Sequence, residues 1–144
     1  MLPYFPAHLP DELLYGHIGR YRALNAAGPI RGFLLDVFGS ATCIPSADWP
    51  THLQELMRRM EWLHPYDSLE KAVSLATLYP YHRLFMPPER WTRLLAAAGA
   101  SGPMNAKMFT GLVAQRFGAS AFLRSCDQCV REAWQRHGGP YWLR

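Results

Sequence analysis

No stretch of the chain approaches the roughly 20 consecutive apolar residues that cross a bilayer, because arginine, aspartate, histidine, proline or glycine interrupts every candidate. No membrane association is expected. Cysteine is scarce: there are three, one of them isolated at Cys43, and an odd, unevenly placed set makes no disulfide framework. The basic start and apolar run of a signal peptide are also missing, which points to the reducing cytoplasm. Alternating β-branched runs are absent, so no sheet is expected over residues 1–123. There is no Gly-rich phosphate loop, no HExxH pattern and no serine on a nucleophile-elbow motif. The chain is therefore expected neither to bind ATP itself nor to be an enzyme.

Lysine is nearly absent too. Lys71 and Lys107 are the two lysines, so the formal charge of +4 and the pI near 9.2 come mainly from arginine. Guanidinium forks bind phosphate or carboxylate through two donors at once, which favours nucleic acid or an acidic protein surface as partner. A basic solvated surface fits the same excess. With 144 residues, 49% apolar and 18% charged, the chain is long enough for one domain with a real core and too apolar to be disordered.

What is present has a helical period. Pro10-Asp11-Glu12 reads as a helix start with acids in the first turn, followed by Leu14, Ile18, Tyr21 and Leu24 on one face up to Gly28. Pro29 opens a second helix whose stripe is Ile30, Phe33, Leu34, Val37 and Phe38, closed by Gly39. A third begins near Pro50 and Thr51, with Leu53, Leu56, Met57 and Met60 as its stripe. Asp67 or Ser68 caps a fourth through Leu69, Val73 and Ala76, which Pro80 breaks. Pro87-Pro88-Glu89 starts a fifth, carrying Trp91, Leu94, Leu95 and Ala98 up to Gly99. A sixth follows Pro103 through Met108, Phe109, Leu112 and Val113 to about Gly118. Six short amphipathic helices imply a compact helical domain over residues 1–123, and residues 124–144 read as the start of a small appended module.

Cys126-Asp127-Gln128-Cys129 in that module has the spacing of half a tetrahedral metal site. Three readings stay open: two metal ligands, two inert thiols with one turned inwards, or a redox pair. Metal ranks above redox because no strand of a thioredoxin-like unit precedes the pair. His137 lies eight residues further on, but a lone histidine near a helix end is commonly a surface or capping group, and it is not assigned as a ligand. His8, His17, His52, His64 and His82 show no i, i+4 pairing.

The aromatic residues Trp49, Trp62, Trp91, Tyr79, Tyr81 and Phe85 would suit a base-stacking platform. Their helical spacing or nearness to prolines makes core packing the better reading. Arg58, Arg59, Arg90, Arg93, Arg116 and Arg131 are the candidate contacts to DNA or a partner, with a solvated helix face as the rival reading for each pair.

Several stretches together carry a family resemblance. Phe5-Pro6-Ala7-His8-Leu9-Pro10-Asp11-Glu12-Leu13-Leu14-Tyr15, with Ile18-Gly19-Arg20-Tyr21 one turn later, resembles the start of the TniQ/TnsD family of transposon target-selection proteins. Phe33-Leu34-Leu35-Asp36-Val37-Phe38-Gly39 resembles its second helix, and Thr77-Leu78-Tyr79-Pro80-Tyr81 its Thr-Leu-aromatic-Pro element. Cys126-Asp127-Gln128-Cys129 with Gly139-Pro140-Tyr141-Trp142 resembles the opening of its zinc ribbon, with Asp127 in place of the family's usual proline.

The resemblance implies a mainly α, multi-helix, helix-turn-helix-like domain followed by the beginning of a zinc ribbon. It also implies a non-catalytic adaptor that joins double-stranded DNA, or an RNA-guided effector complex, to an AAA+ transposition ATPase of the TnsC/TniB type. Zinc would be held by Cys126 and Cys129 as a half-site, and the ribbon's remaining ligands are expected beyond Arg144, in a longer protein of which this is the N-terminal portion. The competing expectation is a free-standing helix-turn-helix regulator that binds an operator as a dimer.

Overall fold

The computed structural model describes residues 2, 4–25, 28–43, 50–61, 66–101 and 126–138. Seven helices and no strand occur among them: α1 (Leu14–Leu24), α2 (Ile30–Phe38), α3 (Leu53–Met60), α4 (Leu69–Ala76), α5 (Tyr79–Arg83), α6 (Pro88–Gly99) and α7 (Asp127–His137). The mainly α expectation holds. The sixth helix read from the sequence, after Pro103, lies outside the described residues.

The helix ends show which local signals decide. α2 follows Pro29 and stops at Gly39, whose φ of +69° is the left-handed conformation and whose N–H bonds the Leu35 carbonyl. At α4 the cap is Ser68, whose Oγ accepts the Lys71 N–H at 3.2 Å. Its far end is turned by Thr77, whose hydroxyl donates to the Val73 carbonyl at 2.6 Å.

α1 departs from the sequence reading at both ends. Asp11 and Glu12 are not in its first turn, because the helix starts at Leu14 and Asp11 sits at φ +56°. Glu12 is fully buried, and its carboxylate accepts the Leu9 N–H and the Arg20 guanidinium. Those bonds bend the chain ahead of the helix. The helix ends before Gly28, at Asn25, whose N–H and Nδ2 both donate to the Tyr21 carbonyl.

α3 packs against α2, α4 and α6, and α4 packs against α5 and α6. Leu34, Val37, Leu53, Leu56, Met60, Val73, Ala76, Leu94 and Ala98 meet in that core. Fully burying each larger aliphatic side chain contributes about 1.5–3 kcal/mol. Close approach is possible where α6 ends, since a Cβ on Gly99 would stand 2.8 Å from Leu69 Cδ2. Tyr79 is buried and its hydroxyl donates to the Pro50 carbonyl at 2.9 Å, tying α5 to the start of α3. An N-terminal strap joins the same core: Leu2 donates to the Arg59 carbonyl, and the Phe5 ring stacks on Tyr21 at 4.8 Å.

Two elements were not read from the sequence. Pro80 does not break α4, which has already ended at Ala76; it lies in the first turn of the five-residue α5. The second is α7, an 11-residue helix that follows Cys126 directly and closes at Gly138, φ +70°.

Candidate functional site

The thiol pair opens α7. Cys126 is its N-cap and Cys129 its third residue, and both side chains are exposed, so neither is turned inwards. The Cys126 sulfur accepts from the Cys129 backbone N–H, the Cys129 thiol and the Gln128 N–H, and these bonds pull its pKa down. Cys129 moves the other way, pushed up by its thiol hydrogen bond to Cys126 and by the charge there.

Two soft sulfur donors on one helical turn suit one edge of a tetrahedral zinc site, whose ligands stand about 2.0–2.3 Å from the metal. His137 cannot share it. It is the last residue of the same helix, and eight residues at 1.5 Å each put it about 12 Å along the axis from Cys129.

The arginine candidates separate by what holds them. Arg58 donates through Nε and Nη2 to Glu55 at 2.8 and 2.7 Å, and Arg59 donates through Nε to the same carboxylate at 2.7 Å. Arg59 also reaches the Asp36 carbonyl at 3.1 Å, which joins α3 to α2. Hydrogen bonding from Arg58 in particular lowers the Glu55 pKa to about 2. One carboxylate thus partly neutralises both guanidinium groups, and Arg59 serves the fold.

Arg90 and Arg93 differ. They are exposed on α6, three residues apart and therefore on one face, and neither makes an ion pair among the described residues. Arg131 is exposed on α7, with Nε bonded to the Asp127 carbonyl at 3.3 Å. Arg116 lies outside the described residues.

The aromatic candidates also divide. Trp91 and Tyr79 are buried, as expected, and Arg83 lies over the Trp91 ring at 5.2 Å. Tyr81 and Phe85, expected in the core, are 65% and 71% exposed, and Leu84 between them is 82% exposed. The correction has a geometric cause: α5 is little more than one turn, and Tyr79 on it already takes the inward position. Trp49 and Trp62 lie outside the described residues.

A second cluster escaped the sequence reading. His8, Glu12 and His17 bring one ligand-type atom each within 4.8 Å of one another. His17 is fully buried and its Nε2 is 2.6 Å from the Pro6 carbonyl, so that nitrogen carries the proton and Nδ1 is left as a lone pair without a hydrogen-bond partner. Burial lowers the His17 pKa to about 4, against the opposing pull of the Pro6 bond. His8 likewise donates from Nε2 to the Glu12 carbonyl at 2.9 Å. The Glu12 carboxylate faces Arg20, which also donates to the Ala7 carbonyl at 2.7 Å. The group fastens the N-terminal strap to α1, and no i, i+4 histidine pattern could have signalled it.

Arginines lie on the outer helix faces, beside an exposed apolar turn and an exposed thiol pair. Residues 3–144 match the TniQ family model, and the chain belongs to the TniQ family. Membership marks it as a transposition-associated protein. No curated protein matches the chain. Among the described residues no helix is long and apolar enough to cross a membrane.

Proposed function

We propose that this protein is a target-selection adaptor for DNA transposition, a non-catalytic link between double-stranded DNA and an AAA+ ATPase of the TnsC/TniB type. The observation that carries the reading is the family match over residues 3–144, joined to a surface where Arg90 and Arg93 are exposed and unpaired among the described residues. Unpaired guanidinium groups on one helix face suit phosphate, whose contacts position a protein on DNA without reading its sequence. DNA binding by this chain is weak, salt-sensitive and largely sequence-independent.

Zinc belongs to the same proposal. Cys126 and Cys129 would hold it as half of a ribbon site, with two further donors from outside the described residues, and the metal would fix the fold of that module.

The test is retention of the cognate ATPase on duplex DNA by the full chain at low salt. Retention is expected, and its absence would sink the adaptor reading. A sequence-dependent footprint from the chain alone, indifferent to the ATPase, would instead favour a free-standing helix-turn-helix regulator.

A further inference from the structure

Tyr81, Leu84 and Phe85 form a knuckle on α5 and the turn after it, with 65%, 82% and 71% of their surface exposed. The Tyr81 and Phe85 rings lie edge to face with centroids 5.8 Å apart, and Tyr81 meets the His82 ring at 5.2 Å. Backbone bonds from Tyr81 to Leu78, from Phe85 to His82 and from Met86 to Arg83 hold the turn, so the apolar side chains sit on a fixed frame. Three large apolar groups side by side in water mark a binding surface rather than scattered exposure.

Arginine predominates among the charges around the knuckle. Arg83 is anchored over Trp91, and Arg90 and Arg93 follow on α6, with Glu89 the acid on that stretch. Apolar and aromatic tips backed by arginine, with lysine absent, have the composition of protein–protein hot spots. Duplex DNA fits less well. Its backbone offers phosphate to guanidinium groups, and the most exposed large apolar side chain on this turn is Leu84.

We propose that Tyr81, Leu84 and Phe85 are the docking knuckle for a partner protein, inserting into an apolar recess whose rim carries Asp and Glu carboxylates that meet Arg83, beside Leu84 in the chain, which leaves Arg90 and Arg93 to phosphate. The inference rests on the adaptor reading for its probe, the ATPase of the same transposon, and adds which surface of this chain that protein meets.

The experiment measures ATPase affinity for the full-length chain without DNA, by biolayer interferometry, for wild type, Leu84→Asp, Phe85→Ala and, as control, Leu35→Asp, an exposed position on α2. Leu84→Asp is expected to weaken binding at least tenfold and Phe85→Ala several-fold, with Leu35→Asp unchanged and melting temperatures within about 2 °C. Wild-type binding that Leu84→Asp leaves intact overturns the knuckle while sparing the adaptor reading. Failure of the wild type to bind at all overturns both. Loss of duplex binding with ATPase binding kept would make the knuckle a DNA wedge. A fall of several degrees in melting temperature would mean that the chain itself covers it, and a shift in sedimentation from dimer to monomer that a second copy does. Each of these three results overturns the proposal.

Discussion

Arg20 grips Glu12 from eight residues away, Nε to Oε1 at 2.6 Å and Nη2 to Oε2 at 2.8 Å, with the carboxylate fully buried and the guanidinium side chain 21% exposed. The pair sets where α1 begins and holds the strap of residues 4–13 against it. Removing Arg20 leaves the Glu12 carboxylate buried without its cation, whereas removing Glu12 leaves a partly exposed Arg20 that still donates to the Ala7 carbonyl. Arg20→Ala should cost about 3 kcal/mol, read from urea unfolding, and Glu12→Ala less, whereas Arg58→Ala at the exposed Glu55 pair should leave the urea midpoint nearly unchanged.

His17 makes stability depend on pH. Its folded pKa of about 4 lies below the 6.5 of the free side chain, so the unfolded state binds more protons between those values. The contribution is complete above pH 6.5 and is lost as pH falls towards 4. The shift corresponds to roughly 3 kcal/mol across that window. Urea titrations at pH 7 and pH 4.5 should show the loss. His17→Gln, which can still donate to the Pro6 carbonyl, should flatten the dependence.

Cys126 should react before Cys129. In metal-free protein at neutral pH, iodoacetamide is expected to alkylate Cys126 first, because its thiolate is the one stabilised by hydrogen bonds at the start of α7. Mass spectrometry of partial digests reads the order. Bound zinc should protect both thiols, and Cys126→Ser should abolish that protection.

Arg90 and Arg93 should contribute alike to weak duplex binding. The double replacement by Ala is expected to lower affinity uniformly across sequences and to reduce the salt slope by about 2, since each phosphate no longer neutralised removes about 0.9. Fluorescence anisotropy across a salt series measures it, and Arg59→Ala should leave the slope unchanged.

Much of the fold was legible because its signals are local. Pro29, the stripe from Phe33 to Phe38 and the left-handed Gly39 define α2 without help from any other element. α6 follows in the same way from Pro87-Pro88 and the inward set Trp91, Leu94 and Ala98. α5 was illegible because five residues contain no period to count. α7 was illegible because it buries only Ala133 and so carries no apolar stripe, although Arg136 and His137 in its last turn and Gly138 after it are ordinary stop signals.

For the candidate site the division is sharper. The amino-acid order alone supplied the family pattern, the helical class, the thiol pair and the arginine excess, because each is a matter of residue type and spacing. Tertiary structure decided what each group does, because charge and exposure depend on neighbours distant in sequence. It spent Arg59 on Glu55 and the Asp36 carbonyl, and left Arg90 and Arg93 facing solvent. It also drew Glu12 out of a helix cap into a buried pair with Arg20, and turned Tyr81, Leu84 and Phe85 outward because Tyr79 already filled the core.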